Sequence, residues 1–308
     1  MTEEQLNHDW LINLSNVLDS RYGYSNEALQ GTSSDFVAYA EDIQTDATGN
    51  VYIAGNTLLS NEPYFLLGQN LGPFISKYTS EGTELWSKTF QDADVYMSSG
   101  HYGSPLDVND NGDIALAINE RLDYQQSNGE YFQGQNQGQE NRAILLKLDG
   151  SSGDISNEYV LDLSIHDPGI ISEQALITAI SNTGDAFVIT GGDGSIQQKY
   201  LSKYTDEGKS WEVPIGGTRD AFALSDSVLV NGQVIIEEYS SESGERLSSF
   251  KPFGEKPFTT VNSIDISDGK MAIAAGENIN GDMHASAVLV NNEVQGNNEV
   301  LWVDRQNH

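Results

Sequence analysis

The chain has 308 residues, of which 38% are hydrophobic, enough to build a packed core in one large domain or two ordinary ones. It carries 46 Asp and Glu against 15 Lys and Arg, a formal net charge of -31. This charge repels nucleic acids and anionic membrane surfaces, so we expect neither as a partner. With no cysteine, disulfides, thiolate metal sites and a cysteine nucleophile are excluded.

The N-terminal sequence MTEEQLNHDWLINL has neither the basic segment nor the long apolar segment of a classical secretory signal. No run approaches the roughly 18 apolar residues of a membrane-spanning helix, so we expect no membrane insertion. Residues 9–15, DWLINLS, resemble a β-strand in which Trp10 and Leu14 occupy positions like those around Trp86.

A hairpin pattern is repeated along the chain. TDATGNVYIAG (45–55) is matched by VNDNGDIALAI (108–118), ISNTGDAFVITG (180–191) and, more weakly, ISDGKMAIAAG (266–276). In each copy an apolar strand enters a short turn with a glycine near its end, and a second apolar strand follows. Two further β-rich runs follow each hairpin, so the repeating unit has four strands.

The third strand and its outgoing turn are also repeated. SKYTSEGTELW (76–86) returns almost unchanged as SKYTDEGKSW (202–211). We interpret both segments as the same element of two repeats, with Ile75 and Leu201 facing a neighbouring sheet and the charged turn residues in solvent.

Four antiparallel strands that recur about every 45 to 70 residues predict the blades of a β-propeller. The predicted fold is all-β, a single propeller domain over 1–308 with five four-stranded antiparallel blades. A terminal strand at 9–15 would close the ring and remove its exposed edges. Because the last blade has its own fourth strand at 299–304, six blades is the alternative count. The predicted blades span 35–90, 94–161, 171–215, 218–250 and 259–303.

The repeat resembles the SBBP-type β-propeller repeats of bacterial and cyanobacterial extracellular proteins. The shared pattern is D-x-x-G-N, V-Y-[IV]-A-G, F-[IV]-x-K-Y, x-x-x-G and L-W. The match is partial in the second unit and poor in the fourth and fifth, where Gly-Asn and Lys-Tyr are gone. The resemblance implies a propeller fold and an extracellular setting, and it implies no particular activity. In the first unit the pattern is carried by Asp46, Gly49, Asn50, Val51, Tyr52, Gly55, Phe74, Lys77, Tyr78, Gly82 and Trp86, and in the third by Gly184, Gly191, Lys203, Tyr204, Gly208 and Trp211.

The segment DVNDNG (107–112) fits the opening of a calcium loop. Hard oxygen ligands at alternating positions can converge on one cation, and the glycine permits the sharp bend. Ile118 stands where an EF-hand loop needs a bidentate Glu, so an ordinary Asn/Asp turn is the alternative. Calcium is the one cofactor that the sequence suggests. Its predicted ligands are Asp107, Asn109, Asn111 and Asp113.

Several carboxylates lie near the predicted innermost strands. Propeller glycosidases place two or three carboxylates around the central funnel, so these residues raise the possibility of an enzyme that acts on polysaccharides. In a chain with 46 carboxylates, four near strand edges is also close to what chance would give. The candidates are Asp42, Asp107, Asp220 and Asp265.

Two long loops join the second and third strands of the first two blades, at 56–73 and 119–141. Both combine aromatic side chains with amide neighbours, which suits stacking on a sugar or contact with a protein. Equivalent places in adjacent blades put both loops on the same face of the disc. The alternative is that they fold over their own blades as local caps. The predicted ligand-binding residues are Tyr64, Phe65, Tyr124, Tyr131 and Phe132.

The sequence therefore predicts a monomeric, non-catalytic binding or interaction module, extracellular or on the cell surface, which binds a protein or carbohydrate ligand on one face. The alternatives are a polysaccharide-acting hydrolase or lyase and a structural spacer of a larger adhesin. An enzyme requires a central pocket with convergent carboxylates of shifted pKa, whereas a binding module requires an exposed aromatic patch.

Overall fold

The computed structural model describes residues 35–60, 69–90, 95–97, 104–122, 140–161, 173–192, 199–216, 220–223, 226–232, 235–251, 259–267, 270–279, 282–291 and 300–306. The regular structure in these residues is β-strand throughout, which confirms the predicted all-β class. Within them, no helix has the length and apolar character needed to cross a membrane.

In chain order, the strands are β1 (Asp35–Thr45), β2 (Val51–Ser60), β3 (Gln69–Tyr78), β4 (Glu84–Thr89), β5 (Val95–Tyr96), β6 (Leu106–Val108), β7 (Ile114–Leu122), β8 (Glu140–Leu148), β9 (Ile155–Leu161), β10 (Glu173–Ile180), β11 (Ala186–Gly192), β12 (Lys199–Thr205), β13 (Gly208–Ile215), β14 (Asp220–Ala223), β15 (Ser227–Gly232), β16 (Ile235–Ser240), β17 (Arg246–Phe250), β18 (Thr259–Ser267), β19 (Lys270–Ile279), β20 (Asp282–Asn291) and β21 (Val300–Gln306).

These strands form five antiparallel sheets, which we name blades one to five in chain order. Blade one is β1-β2-β3-β4, and blades three, four and five repeat this order with β10 to β13, β14 to β17 and β18 to β21. Successive sheets touch through their first strands: β1 contacts β6, β6 contacts β10, β10 contacts β14 and β14 contacts β18. Four-stranded sheets packed in this way are the blades of a β-propeller, as predicted.

Blade five has its own fourth strand, β21, which ends at Gln306, three residues past the predicted blade. The predicted ring-closing strand at 9–15 lies outside the described residues. Closure by that strand therefore stays a prediction.

The first strands of three blades contain a bulge at the same position. The bulged residues are Glu41, Leu176 and Asn262, each followed by a shift in register with the second strand. Blade two differs, because its first strand is split into β5 and β6, and both pair with β7. No motif in the sequence indicates this split.

Apolar side chains on facing sheets form the core between neighbouring blades. Ile75 is fully buried against blade two, and Leu201 is fully buried against blade four, which confirms that both face a neighbouring sheet. Leu116, Ile118 and Leu146 of blade two are packed in the same cluster as Ile75. Because successive side chains of a strand point to opposite faces, a continuous apolar strand such as β7 places one apolar row in the interface on each side of its blade.

The repeated tryptophan of the fourth strand contacts the outer turn of the next blade. The Trp86 indole Nε1–H donates to the Gly150 carbonyl of blade two at 3.1 Å, and Trp211 donates to the Ser241 carbonyl of blade four at 3.1 Å. A Cβ atom on Gly153 would lie 2.7 Å from the Trp86 ring, so only glycine lets the indole pack so closely. The similarity of the two SKYT segments thus has a structural cause.

Candidate functional site

The four predicted funnel carboxylates occupy two register positions on the innermost strands. Asp42 lies opposite Ala54 in blade one, and Asp220 lies opposite Asn231 at the equivalent position of blade four. Asp107 lies opposite Ala115, and Asp265 lies opposite Ala272, which is a second equivalent pair in blades two and five. The acids are therefore distributed over four blades at two levels.

The half-buried Asp42 carboxylate joins blade one to blade two. Its Oδ2 accepts hydrogen bonds from Ser104 Oγ at 2.6 Å and from the Leu106 amide at 3.1 Å. Its Oδ1 accepts from the Ile43 amide at 2.8 Å, and Gln44 Nε2 donates to Ser104 Oγ at 3.2 Å. Burial raises the pKa of Asp42, and the hydrogen bonds from Ser104 and the two amides offset only part of this effect.

Asp107 makes the corresponding link from blade two to blade three. Its Oδ2 accepts from the Ile180 amide at 2.7 Å, and the Ser104 carbonyl accepts from the Thr178 amide at 2.9 Å. The side chains of β10 from Ala175 to Ile180 are all buried. The innermost strands of the first three blades are thus hydrogen-bonded to one another, and both carboxylates contribute to these bonds.

The residues of the predicted calcium loop build a turn and its contact with blade three. Asn109 Oδ1 accepts from the amides of Asn111 and Asp113 at 3.0 and 2.9 Å, and Asn109 Nδ2 donates to the Ser181 carbonyl at 2.8 Å. Across the described part of the chain, no three His, Cys, Asp or Glu side chains lie close enough together to hold a metal ion. Calcium binding at Asp107, Asn109, Asn111 and Asp113 stays a prediction.

Calcium binding at this loop predicts a thermal response. After EDTA treatment, millimolar Ca²⁺ should raise the melting temperature, by the equivalent of about 2.7 kcal/mol at a hundredfold excess over Kd. Asp107→Ala should abolish the response, and Asp154→Ala, an exposed acid on blade two, should keep it. Identical melting curves with EDTA and with Ca²⁺ would show that DVNDNG is an ordinary turn.

The predicted ligand-binding side chains Tyr64, Phe65, Tyr124, Tyr131 and Phe132 lie outside the described residues. The strands that lead into their loops are described. The β2–β3 ladder extends to Leu59 opposite Gln69, and the β7–β8 ladder extends to Leu122 opposite Glu140. Both loops leave their blades at the end opposite the turn glycines Gly49 and Gly112.

A pair of asparagines shows that neighbouring blades have the same orientation. Asn56 donates to the Met97 carbonyl at 3.1 Å and accepts from the Met97 amide at 2.8 Å. Asn119 makes the same two bonds to Ala175 of blade three, at 3.3 and 2.8 Å. The ends of β2 and β7 that lead into the two loops therefore lie on the same side of the propeller, which we call the loop face. Asn56 and Asn119 stand equally far after the repeated turn glycines, and this spacing was the available sequence signal.

A buried polar cluster lies between blades one and two at the turn end. The Asp46 carboxylate accepts hydrogen bonds from Thr48, from Asn50 and from the hydroxyl of Tyr52, which is itself fully buried. Lys77 Nζ lies 3.7 Å from Asp46 and donates to the Gly150 carbonyl at 2.9 Å. Burial raises the pKa of Asp46, but the hydrogen bonds outweigh it and hold the pKa well below its usual range. The cluster is a structural contact between blades.

Comparisons with known proteins add only distant structural likenesses. No family model matches the chain, and no curated protein matches its sequence. The subtype N10 neuraminidase-like protein of A/little yellow-shouldered bat/Guatemala is 6% identical with a TM-score of 0.48, over 88% of this chain and 81% of that one. The Trypanosoma rangeli sialidase in complex with the inhibitor DANA is 10% identical with a TM-score of 0.46, over 83% of this chain.

A third structure, the Pyrococcus horikoshii acylaminoacyl peptidase, is 9% identical with a TM-score of 0.42, over 82% of this chain. The chain spans 44% of the length of the peptidase and 47% of the length of the sialidase. Likenesses of this degree carry no argument about activity.

Proposed function

We propose that this chain is a non-catalytic binding module of the SBBP-repeat type, extracellular or on the cell surface, which holds a carbohydrate or protein ligand on its loop face. One observation carries the proposal. Asp42 and Asp107, which an enzyme would present to substrate, instead accept backbone amides of the next blade, at 3.1 and 2.7 Å. Carboxylates engaged in this way link neighbouring blades.

The placement of the two long loops supports a ligand-binding surface on the loop face. They emerge from adjacent blades, on strands whose orientation is set by the Asn56 and Asn119 contacts. A rigid scaffold that displays neighbouring loops is a common arrangement for recognition. The net charge of -31 favours a neutral glycan or a protein with a basic surface over an anionic ligand. In this proposal calcium stabilises the DVNDNG turn of blade two.

A polysaccharide-acting enzyme is the second candidate, and one observation favours it. The raised pKa of Asp42 is a property of a general acid, because a carboxyl group must stay protonated near neutral pH to donate a proton. A glycosidase needs a second carboxyl group within roughly 5 to 9.5 Å of the first. Asp107, the described acid on the neighbouring strand, is bonded to blade three.

Affinity electrophoresis in gels that contain soluble polysaccharides, with a parallel assay for new reducing ends, tests the proposal. We expect at least one polysaccharide to slow the wild-type protein without releasing reducing ends. The double variant Tyr131→Ala/Phe132→Ala should bind about thirtyfold more weakly, because each stacked ring contributes about 1 kcal/mol and the loss of both totals about 2 kcal/mol. Its melting temperature should stay close to that of the wild type.

Leu247→Ala is the matched control, since Leu247 is a 53% exposed apolar residue on the outer strand of blade four. It should bind like the wild type. Release of reducing ends that Asp42→Asn abolishes would replace the proposal with the enzyme. A large fall in the melting temperature of the double variant would show that the two rings belong to the core.

A further inference from the structure

We propose that Glu120 and Arg142 form a subsite on the loop face that binds two adjacent hydroxyl groups of a neutral sugar. The inference rests on the proposed binding function, and it adds a ligand class and two contact residues to it. Glu120 lies near the end of β7, and Arg142 lies near the start of β8, directly opposite Glu120 in the ladder. Both residues therefore stand at the loop-face end of blade two.

The pair continues two apolar rows that face blade one. Side chains two residues apart on a strand point to the same face of the sheet. Ile118, two residues before Glu120, and Ile144, two residues after Arg142, are buried in the interface between blades one and two. Beyond these apolar residues, the same face carries two opposite charges. The pair therefore lies at the loop-face end of this interface.

Arg142 uses only part of its guanidinium group to hold Glu120. Its Nε donates to Glu120 Oε2 at 2.6 Å, and its Nη2 donates to the same oxygen. In the described part of the chain, neither Arg142 Nη1 nor Glu120 Oε1 forms a further hydrogen bond. The two side chains are 40% and 22% exposed, so a ligand can reach them. Each side chain positions the other and still offers one hydrogen-bonding group.

A donor beside a carboxylate oxygen matches a sugar diol. One hydroxyl can donate to Glu120 Oε1 while the adjacent hydroxyl accepts from Arg142 Nη1, because every hydroxyl is both a donor and an acceptor. Hydrogen bonds to charged groups are stronger than those between neutral groups. Because the pair is already formed without a ligand, binding loses little side-chain entropy at these two residues.

The charges of the subsite favour a neutral ligand. Glu120 and Arg142 have opposite charges, so the pair adds no net positive charge to a chain whose net charge is -31. An acidic sugar would approach the Glu120 carboxylate against the field of the whole protein. An apolar ligand would cover both charged groups without offering them hydrogen bonds, which is unfavourable.

An aromatic ring at the same end of the interface supports a sugar ligand. Phe90 packs against the cluster that contains Ile118 and Ile144, and its amide donates to the Pro73 carbonyl at 2.9 Å. Pro73 lies opposite Asn56, which places Phe90 at the loop-face end of blade one. The Phe90 ring is only partly buried, so it offers apolar surface to the C–H face of a sugar.

Affinity electrophoresis of the full chain tests the subsite, with dextran, soluble starch and galactomannan as neutral probes and alginate as the acidic probe. We expect a neutral polysaccharide to retard the wild type and alginate to leave it unretarded. Glu120→Gln and Arg142→Gln should each bind that neutral polysaccharide about tenfold more weakly. The double variant should lose less than the product of the single losses, because the two side chains position each other. Melting temperatures should change little, since a partly exposed ion pair contributes little to stability.

Arg246→Gln is the matched control. Arg246 donates from Nη1 to Glu237 Oε1 of the adjacent strand at 2.8 Å, but this pair belongs to blade four and lies beside its outer turn. Arg246→Gln should bind like the wild type. If a neutral polysaccharide retards the wild type and both single variants equally, the subsite is overturned and the proposed binding function stands. Retardation of the wild type by alginate alone would overturn the neutral ligand class. If no polysaccharide retards the wild type, both the subsite and carbohydrate binding by the loop face are overturned.

Discussion

Gly150→Ala should destabilise the protein by about 3 kcal/mol or more, at or above the upper end of what overpacking normally costs. A Cβ atom on residue 150 would lie 1.7 Å from the Gly112 carbonyl oxygen and 2.6 Å from its carbonyl carbon. Both atoms belong to the backbone, so no side-chain rotation can relieve the clash. The turn that contains Gly112 and the turn that contains Gly150 would have to move apart.

The separation would also weaken the interface with blade one. The Gly150 carbonyl accepts from Lys77 Nζ at 2.9 Å and from Trp86 Nε1 at 3.1 Å. Moving this carbonyl leaves the buried lysine and the indole without an acceptor, and an unsatisfied buried donor costs about 1 to 3 kcal/mol. The methyl group therefore affects two blades.

Chemical denaturation followed by tryptophan fluorescence measures the effect, because Trp86 lies at the affected interface. Gly216→Ala is the matched control, since a Cβ atom there would meet nothing within 4 Å. It should stay within about 0.5 kcal/mol of the wild type. A similarly small loss for Gly150→Ala would mean that the two turns are not in contact.

Asp46→Asn should lower the free energy of unfolding by about 3 kcal/mol at neutral pH. Asparagine has only one acceptor oxygen, and its NH₂ group would face the donors Tyr52 Oη and Asn50 Nδ2, which now bind Asp46 Oδ2 at 3.0 and 2.8 Å. Lys77, whose side chain is only 11% exposed, would also lose its carboxylate partner.

The loss should depend on pH. Because the folded-state pKa of Asp46 lies below its ordinary value, its stabilising contribution is present above about pH 3.9 and disappears as the pH falls towards the folded-state pKa. The difference between wild type and Asp46→Asn should therefore be largest at neutral pH and shrink below about pH 4. Urea denaturation at a series of pH values measures it.

Asp154→Asn is the control, since Asp154 forms an exposed ion pair with Lys88 and should contribute little. A difference between wild type and Asp46→Asn that is constant from neutral to acid pH would contradict the assignment of Asp46 as an ionised acceptor.

Asp42 and Asp46 show why residue type alone did not identify a site. They lie four residues apart in blade one, yet burial raises the pKa of Asp42 and a set of hydrogen-bond donors lowers the pKa of Asp46. The donors of Asp46 are its sequence neighbours Thr48, Asn50 and Tyr52. The main partners of Asp42, Ser104 and Leu106, come from another blade and have no counterpart in the local sequence.

The repeated pattern was sufficient to predict the four-stranded unit, because strands and glycine turns are each determined by residues close together in the sequence. Gly49 and Gly112 have φ angles of +81° and +84°, a conformation that favours glycine, and each follows an Asx-type turn that is visible in the sequence. The buried positions of Ile75 and Leu201 followed from the same alternation.

The split first strand of blade two could not be predicted in this way. β5 and β6 are two and three residues long, which is too short for a recognisable pattern, and their common partner β7 follows them in the chain. The role of Gly150 was equally hidden. Its Cβ position is blocked by Gly112, a residue that is adjacent in space and distant in sequence.

The sequence by itself determined the all-β class and the repeating four-stranded unit. These properties depend on composition and on neighbours within a few residues. Only the tertiary structure decided that Asp42 and Asp107 link blades through backbone amides, that Asn56 and Asn119 orient successive blades, and that Lys77 and Trp86 share the carbonyl of Gly150. Each of these contacts joins groups from different blades that packing brings together. The environment and the charge state of such a side chain are therefore set by residues that are distant in the chain.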